Sequence, residues 1–294
     1  KSYSLSLDEM GFISNGNENS GTFDQATTIL FFGGSTTESL FVPEDMRFVS
    51  QLERNLRERT GEHFVTLNGG RSGNHSMHSW LNLAAKGIPI EADYAVLMNN
   101  ANDLSLLRKT GSYWLAPTGR SIIVENKDKI AFYALARGLK DLLAPNLYRY
   151  LRPRLVPDGQ DEFAKFRGTT FEIEQYAPLY ESSLRTFIGI SRAWGIEPIL
   201  MTQFSRFRAS DTLFQRNYES VDPKGYIKFA EEFRAMNEIV RRVARSEECS
   251  LIDLESEVPP TSEYIYDAIH LNEKGSSLVA DVLTDFFMDK NARN

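Results

Sequence analysis

Residues 29–38 read ILFFGGSTTE, a short apolar run that ends in two glycines and a serine. A continuous apolar run of this kind is typical of a strand that is buried on both faces of a parallel sheet. Glycines after such a strand allow the chain to turn sharply and allow a ligand to approach the backbone. The stretch therefore predicts an α/β fold in which Ser35 is exposed at the carboxyl end of a buried strand.

The same stretch has a second interpretation. Ser35 and Glu38 have the spacing of a helix capping box, in which the serine hydroxyl serves only to bond backbone N–H groups. In that case Ser35 would end a strand and begin a helix without any role in chemistry. The rest of the chain has to decide between the two.

Strand and helix patterns alternate along most of the chain. Apolar runs predict strands at Thr28–Phe32, Phe64–Leu67, Tyr94–Met98, Glu197–Thr202 and Ser250–Asp253. Helical spacing predicts helices at Glu44–Arg59, Ser76–Lys86, Ala177–Trp194 and Tyr226–Arg245, and a last helix capped by Asn272 that runs to about Met288. This alternation implies right-handed crossovers and a three-layer α/β/α architecture with a five-stranded parallel sheet of flavodoxin-like order.

Two segments do not follow the alternation. Residues 1–27 are polar and rich in Gly, Asn and Ser, and we expect an irregular lead-in anchored by Phe12 and Phe23. Residues 104–175 mix helical and loop signals with four prolines, which favours a helical insertion or cap on the sheet. We therefore expect one domain over residues 1–294, with the insertion as the part that sets specificity.

Composition excludes several classes of function. The net charge of −7 argues against general nucleic-acid binding, and no apolar run approaches the ~20 residues that span a bilayer. Cys249 is the only cysteine, so an internal disulfide or a multi-cysteine metal site is excluded. The sequence begins at Lys1 rather than Met, which is compatible with a signal peptide or membrane anchor missing from view. We leave the compartment open and favour an exported location over a cytoplasmic one.

A nucleophilic serine needs a base, an acid that orients this base, and N–H donors for the oxyanion. His270 lies just before the last predicted helix, and Asp267 precedes it by three residues, close enough to fold back onto the imidazole. His63 falls at the wrong end of the sheet, whereas His75 and His78 follow the second strand. An Asp-x-x-His pair alone is also compatible with an ordinary surface loop.

Four turns taken together are more specific. They are Gly33-Gly34-Ser35, Ser72-Gly73, Ala101-Asn102-Asp103 and Asp267-Ala268-Ile269-His270. In this order they resemble the nucleophile, glycine, asparagine and terminal Asp-x-x-His blocks of the SGNH (GDSL-type) hydrolases. The resemblance extends from about Thr28 to Phe287, and covers the lead-in and the 104–175 segment poorly.

The resemblance implies a role for each of five residues. Ser35 would be the nucleophile, His270 the general base and then acid, and Asp267 the residue that orients His270. The backbone N–H groups of Ser35 and Gly73, together with the side-chain amide of Asn102, would form the oxyanion hole. Taken singly, Asn102 also suits an Asx turn and Gly73 a turn with positive φ.

Two departures from the family pattern stand out. Gly34 occupies the position where the family usually has an aspartate, so the hydrogen bonds of that acid must be replaced. Asn100-Ala101 stands where a Gly-Gly pair is common, which stiffens the turn before Asn102. We expect activity to survive the loss of the aspartate at position 34.

The sequence says less about which residues form the wall of the substrate pocket. Gln203 and Arg206 follow the fourth strand, and Arg71 lies in the glycine turn, so these residues and His75 are candidates for substrate binding. Arginines at such a rim bind carboxylates or anionic sugars by bidentate hydrogen bonds, although ordinary surface arginines would look the same. We expect no metal site at His75 and His78, because a third ligand is not evident.

The sequence thus predicts a serine esterase that acts on a small O-acyl group, such as acetyl, possibly carried by a carbohydrate. We expect a small-molecule or carbohydrate ester as substrate, no cofactor and no nucleic-acid partner. Two alternatives stay open. The same Ser35, Asp267 and His270 would serve a polysaccharide O-acyltransferase, and a non-catalytic carbohydrate-binding or assembly protein would keep the fold alone.

Overall fold

A five-stranded sheet forms the centre of the structure. The computed structural model describes residues 5–14, 26–114, 171–207 and 223–292. Its strands are β1 (Thr27–Gly33), β2 (Phe64–Asn68), β3 (Tyr94–Met98), β4 (Glu197–Met201) and β5 (Ser250–Ile252). All four neighbouring pairs are parallel, and the order is β2-β1-β3-β4-β5. The predicted flavodoxin-like order is confirmed.

Helices cover both faces of the sheet. In chain order they are α1 (Ser35–Glu38), α2 (Phe48–Thr60), α3 (Ser76–Asn82), α4 (Ala101–Thr110), α5 (Ile173–Ala193), α6 (Pro223–Ser246), α7 (Leu254–Glu257) and α8 (Glu273–Asn291). One core lies between the sheet and α4, α5 and α6, and the other lies between the sheet and α2 and α8. The three-layer α/β/α architecture is confirmed.

The alternation of side chains along β1 links the two cores. Leu30 and Phe32 lie in the first core, whereas Ile29 and Phe31 lie in the second. Successive side chains of a strand point to opposite faces, so an apolar residue at every position requires burial on both sides. Each fully buried side chain of this size contributes roughly 1.5–3 kcal/mol, which makes β1 a rigid base for the turn that follows it.

Several helices differ from the sequence predictions at their ends. The helix predicted from Ala177 begins at Ile173, where Glu172 and Gln175 form a capping box, so Pro178 lies inside the helix and not in its first turn. The helix predicted to reach Lys86 is α-helical only to Asn82 and continues as a π-turn, Leu83–Gly87, and a 3-10 turn. Pro89 lacks the N–H that a regular helix would need there.

The predicted helix from Glu44 is divided in two. A 3-10 turn, Glu44–Met46, is followed by Arg47 in an extended conformation, and α2 then runs to Thr60. Gly61 ends the helix with φ of 73°, as the sequence predicts.

The two irregular segments are described only in part. Phe12 of the lead-in is fully buried and Ile13 bridges to Asn68 of β2, while Phe23 lies outside the described residues. The segment predicted as an insertion, residues 104–175, is described only at its ends, where Leu104 belongs to α4 and Gln175 to α5. Residues 115–170 lie outside the described part of the chain. No helix in the described ranges has the length and apolar character that a membrane crossing needs.

Candidate active site

The predicted nucleophile lies where β1 ends. Gly33 closes the strand, and Ser35 is the first residue of α1. Both glycines are required by close packing: a Cβ on Gly33 would lie 2.1 Å from Thr37 Oγ1, and one on Gly34 would lie 2.4 Å from Asn102 Nδ2. Gly34 therefore leaves the space into which the Asn102 amide fits.

A chain of hydrogen bonds joins Ser35, His270 and Asp267. Ser35 Oγ lies 2.8 Å from His270 Nε2, and His270 Nδ1 lies 2.7 Å from Asp267 Oδ2. With the imidazole proton on Nδ1, this ring donates to the carboxylate and Nε2 accepts from the serine hydroxyl. The structure brings together three residues that are up to 235 positions apart in the chain.

Asp267 is held firmly by its own loop. Its Oδ1 accepts from the backbone N–H groups of Ile269 and His270 at 2.9 and 2.8 Å, so both carboxylate oxygens are engaged. Burial disfavours the charged carboxylate, but the hydrogen bond from His270, its charge and the two backbone donors outweigh it and lower the pKa of Asp267. Asp267 is therefore ionised at neutral pH.

The capping-box interpretation of Ser35 is wrong. Gly34, and not Ser35, occupies the N-cap position of α1, and the helix has no side-chain cap bond. The Ser35 hydroxyl bonds to His270 instead, and the Glu38 carboxylate accepts from Ser72. The S-x-x-E spacing is present, but both side chains bond to residues that are distant in sequence and not to the N-terminus of the helix.

The glycine and asparagine turns meet beside Ser35. Gly73 has φ of 86°, a left-handed conformation that favours glycine. Asn102 is half-buried, and its Nδ2 donates to the backbone oxygen of Asn74 at 2.7 Å, directly next to Gly34. The carboxyl ends of β1, β2 and β3 thus converge at one point of the sheet edge, as expected for an open parallel sheet.

Asn100-Ala101 is anchored from outside the turn. The Asn100 amide donates to Phe233 O and Asn237 Oδ1, both at 2.9 Å. The Ala101 N–H donates to Gln203 Oε1 at 2.9 Å. These contacts fix the turn that a Gly-Gly pair would otherwise form by its own flexibility.

Most of the predicted pocket-wall residues are buried. Gln203 uses its amide on Ala101 and Thr36, and Arg206 Nη1 bonds the backbone oxygens of residues 265 and 267 at 3.3 and 3.4 Å. His75 is buried with its ring centroid 3.8 Å from that of His78. Arg71 is exposed. Gln203, Arg206 and His75 therefore support the site from behind. Substrate binding by these residues or by Arg71 stays a prediction.

No group of three or more His, Cys, Asp and Glu side chains within the described ranges is arranged to hold a metal ion.

A buried polar cluster lies behind Asn102, and sequence reasoning gave it no role. Asp103 is fully buried and accepts from the Ser76 N–H at 3.0 Å, from the Ser76 hydroxyl and from Tyr113 OH at 2.7 Å. Burial raises the pKa of Asp103 to about 6 although these bonds favour the charged form. The only sequence signal was that Asp103 closes the asparagine block.

The pKa of Asp103 predicts a specific dependence of stability on pH. The folded chain keeps this proton up to a pH of about 6, whereas an unfolded chain releases it near 3.8, so its contribution to the free energy of unfolding falls as the pH rises between these values. The shift corresponds to about 3 kcal/mol. Urea unfolding from about pH 3 to about pH 7 should show wild type losing roughly that much relative to Asp103→Asn. Parallel curves for the two proteins would contradict the prediction.

A small cleft opens next to Ser35 and His270. Its cavity volume is about 20 Å³, and it is lined also by Leu40, Phe41 and Tyr266. Phe41 and Tyr266 are 55% and 42% exposed and meet edge to face with ring centroids 6.2 Å apart. The Tyr266 ring lies nearly parallel to that of His270, at 5.8 Å. This aromatic rim was missed from sequence, because neither residue belongs to a motif.

Comparison with known proteins identifies the fold of the chain. No protein-family model matches the sequence, and no curated protein matches it. Among solved structures, an alpha/beta hydrolase enzyme from the metagenome of Lake Arreo, Spain, is similar with a TM-score of 0.52 and 16% identity over 90% of this chain and 96% of that one.

Two acetyl xylan esterases of known structure are similar to this chain to the same degree. One superposes with a TM-score of 0.53 and 15% identity over 87% of this chain and 97% of its own. The other, from Geobacillus stearothermophilus, has a TM-score of 0.50 and 14% identity over 87% and 92%. At these identities the likeness is one of fold, and it confirms the fold that the resemblance to SGNH hydrolases implies.

Proposed function

We propose that the protein is a serine esterase that hydrolyses a small O-acyl ester, such as an acetyl ester of a carbohydrate, through an acyl-Ser35 intermediate. The observation that carries the proposal is the unbroken chain from Ser35 Oγ to His270 Nε2 at 2.8 Å and from His270 Nδ1 to Asp267 Oδ2 at 2.7 Å. Nucleophile, base and orienting acid in hydrogen-bond contact are the geometry that acyl transfer requires.

In the acylation step, Ser35 Oγ attacks the ester carbonyl carbon while His270 Nε2 takes the hydroxyl proton. Asp267 keeps the imidazole in the correct tautomer and stabilises the imidazolium. The C–O bond to the alcohol then breaks, and His270 gives its proton to the departing alkoxide. In deacylation, a water oxygen attacks the acyl carbon while His270 takes the water proton. The bond from the acyl carbon to Ser35 Oγ then breaks, His270 returns the proton to Ser35 Oγ, and the carboxylic acid leaves. The mechanism as written requires no cofactor.

The developing oxyanion would be bound by the N–H groups of Ser35 and Gly73 and by the Asn102 amide. Asn102 Nδ2 carries two N–H donors, and one of them donates to Asn74 O. We assign the other to the oxyanion. The Asn74 contact orients the amide before the substrate arrives, which is the preorganisation that makes such donors effective.

The small acyl group is supported by the narrow cleft beside Ser35, whose cavity volume of about 20 Å³ is far below that of pockets for larger ligands, roughly 300–1,000 Å³. A carbohydrate as the alcohol is supported by the names of two structural neighbours, which are acetyl xylan esterases. The exposed faces of Phe41 and Tyr266 at the cleft offer surfaces on which the apolar side of a sugar ring can pack.

Acetate release from acetylated xylooligosaccharides, with product analysis, tests the proposal. We expect acetate and the deacetylated sugar in equal amounts. Acetyl groups that move to an added sugar acceptor without equivalent release of acetate would favour the O-acyltransferase. Binding of the oligosaccharide without turnover of this or of p-nitrophenyl acetate would favour the non-catalytic alternative and contradict the esterase.

The aromatic rim gives a prediction for substrate affinity. Phe41→Ala should raise KM for the acetylated oligosaccharide about tenfold, the factor that corresponds to 1.4 kcal/mol of lost apolar contact, and leave KM for ethyl acetate nearly unchanged. Steady-state kinetics on both esters measure the difference. Trp194→Ala is the matched control, since Trp194 is 64% exposed but lies just before β4, at the opposite edge of the sheet. Equal effects on both esters would contradict the assignment.

A further inference from the structure

Glu38 is a buried acid that the proposed mechanism does not use. It is the last residue of α1, one turn after Ser35, and is only 7% exposed. Its Oε2 accepts from the Ser72 N–H at 3.0 Å and also from the Ser72 hydroxyl. The carboxylate therefore joins the nucleophile turn to the residue directly before Gly73.

The backbone of the glycine turn packs closely against α1 beneath this contact. A Cβ on Gly70 would lie 2.4 Å from Glu38 N, so the glycine turn rests directly on the end of α1. Asn68 Nδ2 donates to Thr37 O at 3.0 Å, and the Arg71 N–H donates to Gly33 O at 3.2 Å. These contacts hold the turn as far as residue 71, and Glu38 continues them to Ser72.

Charge makes this contact stronger than a neutral one. Hydrogen bonds from a backbone N–H and a hydroxyl to a carboxylate are shorter and about twice as strong as neutral pairs. The buried Arg47 interacts electrostatically with Glu38, which balances its charge inside the protein. Glu38 thus places a carboxylate beside the nucleophile turn. It lies four positions after Gly34, which stands where the SGNH hydrolases usually have an aspartate.

From these contacts we propose that Glu38 is a positioning residue: it holds the Ser72–Gly73 turn so that the Gly73 N–H is preset for the oxyanion. The proposal rests on the proposed esterase function. It predicts an effect on kcat more than on KM, because an oxyanion donor acts on charge that develops only in the transition state. It also predicts that the turn itself loosens when the carboxylate is removed, whether or not a substrate is turned over.

The kinetic test compares Glu38→Ala, Glu38→Gln and Glu53→Ala on p-nitrophenyl acetate. Glu38→Ala should lower kcat about 10²-fold with little change in KM, the loss typical of a misplaced catalytic group. Glu38→Gln should recover most of kcat, since its amide oxygen can still accept from the Ser72 N–H. Glu53 is the matched control: it is 2% exposed and its Oε2 accepts from the N–H and hydroxyl of one residue, Thr66, at 2.9 and 3.1 Å.

Glu53→Ala should cost stability and leave kcat unchanged. Equal kcat losses in Glu38→Ala and Glu53→Ala, or an unchanged kcat in Glu38→Ala, would overturn the positioning role.

Hydrogen–deuterium exchange separates this proposal from the esterase assignment. The amides of residues 72–74 should exchange faster in Glu38→Ala than in wild type, while those of β2 stay protected. If wild type hydrolyses no ester, the esterase fails but this exchange result still supports the contact. Unchanged exchange at residues 72–74 in Glu38→Ala would overturn the positioning role even in an active enzyme.

Discussion

Ser35→Ala is expected to lower kcat for p-nitrophenyl acetate about 10⁶-fold, with a folded protein and little change in KM. The variant loses the oxygen that attacks the ester, and loss of the nucleophile in serine hydrolases has this order of effect. What activity remains should come from the oxyanion donors alone. Stopped-time assays with long incubations and a thermal-unfolding curve measure both quantities.

Ser256→Ala is the matched control for this variant. Its hydroxyl is exposed and donates to the nearby Asp253 backbone oxygen at 2.8 Å, away from Ser35 and His270. Its kcat should equal that of wild type. A Ser35→Ala protein that keeps more than a small part of the wild-type kcat would rule out the acyl-Ser35 intermediate.

Asp267→Asn is expected to lower kcat about 10⁴-fold, the second-largest effect. Asparagine keeps the shape of the side chain, and its oxygen can still accept from the backbone of residues 269 and 270. Its amide nitrogen, however, would face His270 Nδ1 as a donor, which favours the tautomer with the proton on Nε2. That tautomer cannot take the proton of Ser35.

A second aspartate provides the control for Asp267→Asn. Asp253 also has a lowered pKa, where the bonds from Arg241 and Thr202 overcome the effect of burial. Asp253→Asn should reduce stability and leave kcat unchanged, because Asp253 lies after β5 and bonds Thr202 and Arg241 rather than Ser35 or His270. A similar fall in kcat for both variants would mean that Asp267 acts only through folding.

The sheet could be predicted because the pattern that indicates each strand depends only on consecutive residues. A strand buried on both faces must be apolar at every position, and β1 meets this condition from Ile29 to Phe32. The turns after β1, β2 and β3 were predictable for a related reason, since parallel strands bring their carboxyl ends to one edge. The Asp267–His270 contact was predictable because it closes within three residues.

The supporting contacts were not predictable, because they depend on residues that are distant in sequence. Ser35-x-x-Glu38 is a sound local pattern for a cap, yet Glu38 bonds Ser72, 34 residues away. Gln203 and Arg206 were expected at the rim, but each is buried by contacts with other turns. Nothing in the sequence distinguishes an arginine that binds a backbone from one that binds a substrate.

The most direct test of the account is fluorophosphonate labelling followed by peptide mapping. This reagent reacts with a serine only when a base has activated it, so it reports on the Ser35–His270 contact without any assumption about the natural substrate. The account predicts one adduct, on the peptide that contains Ser35, and its loss in Ser35→Ala. An unlabelled wild-type protein, or an adduct that persists in Ser35→Ala, would contradict the assignment of Ser35 as the nucleophile.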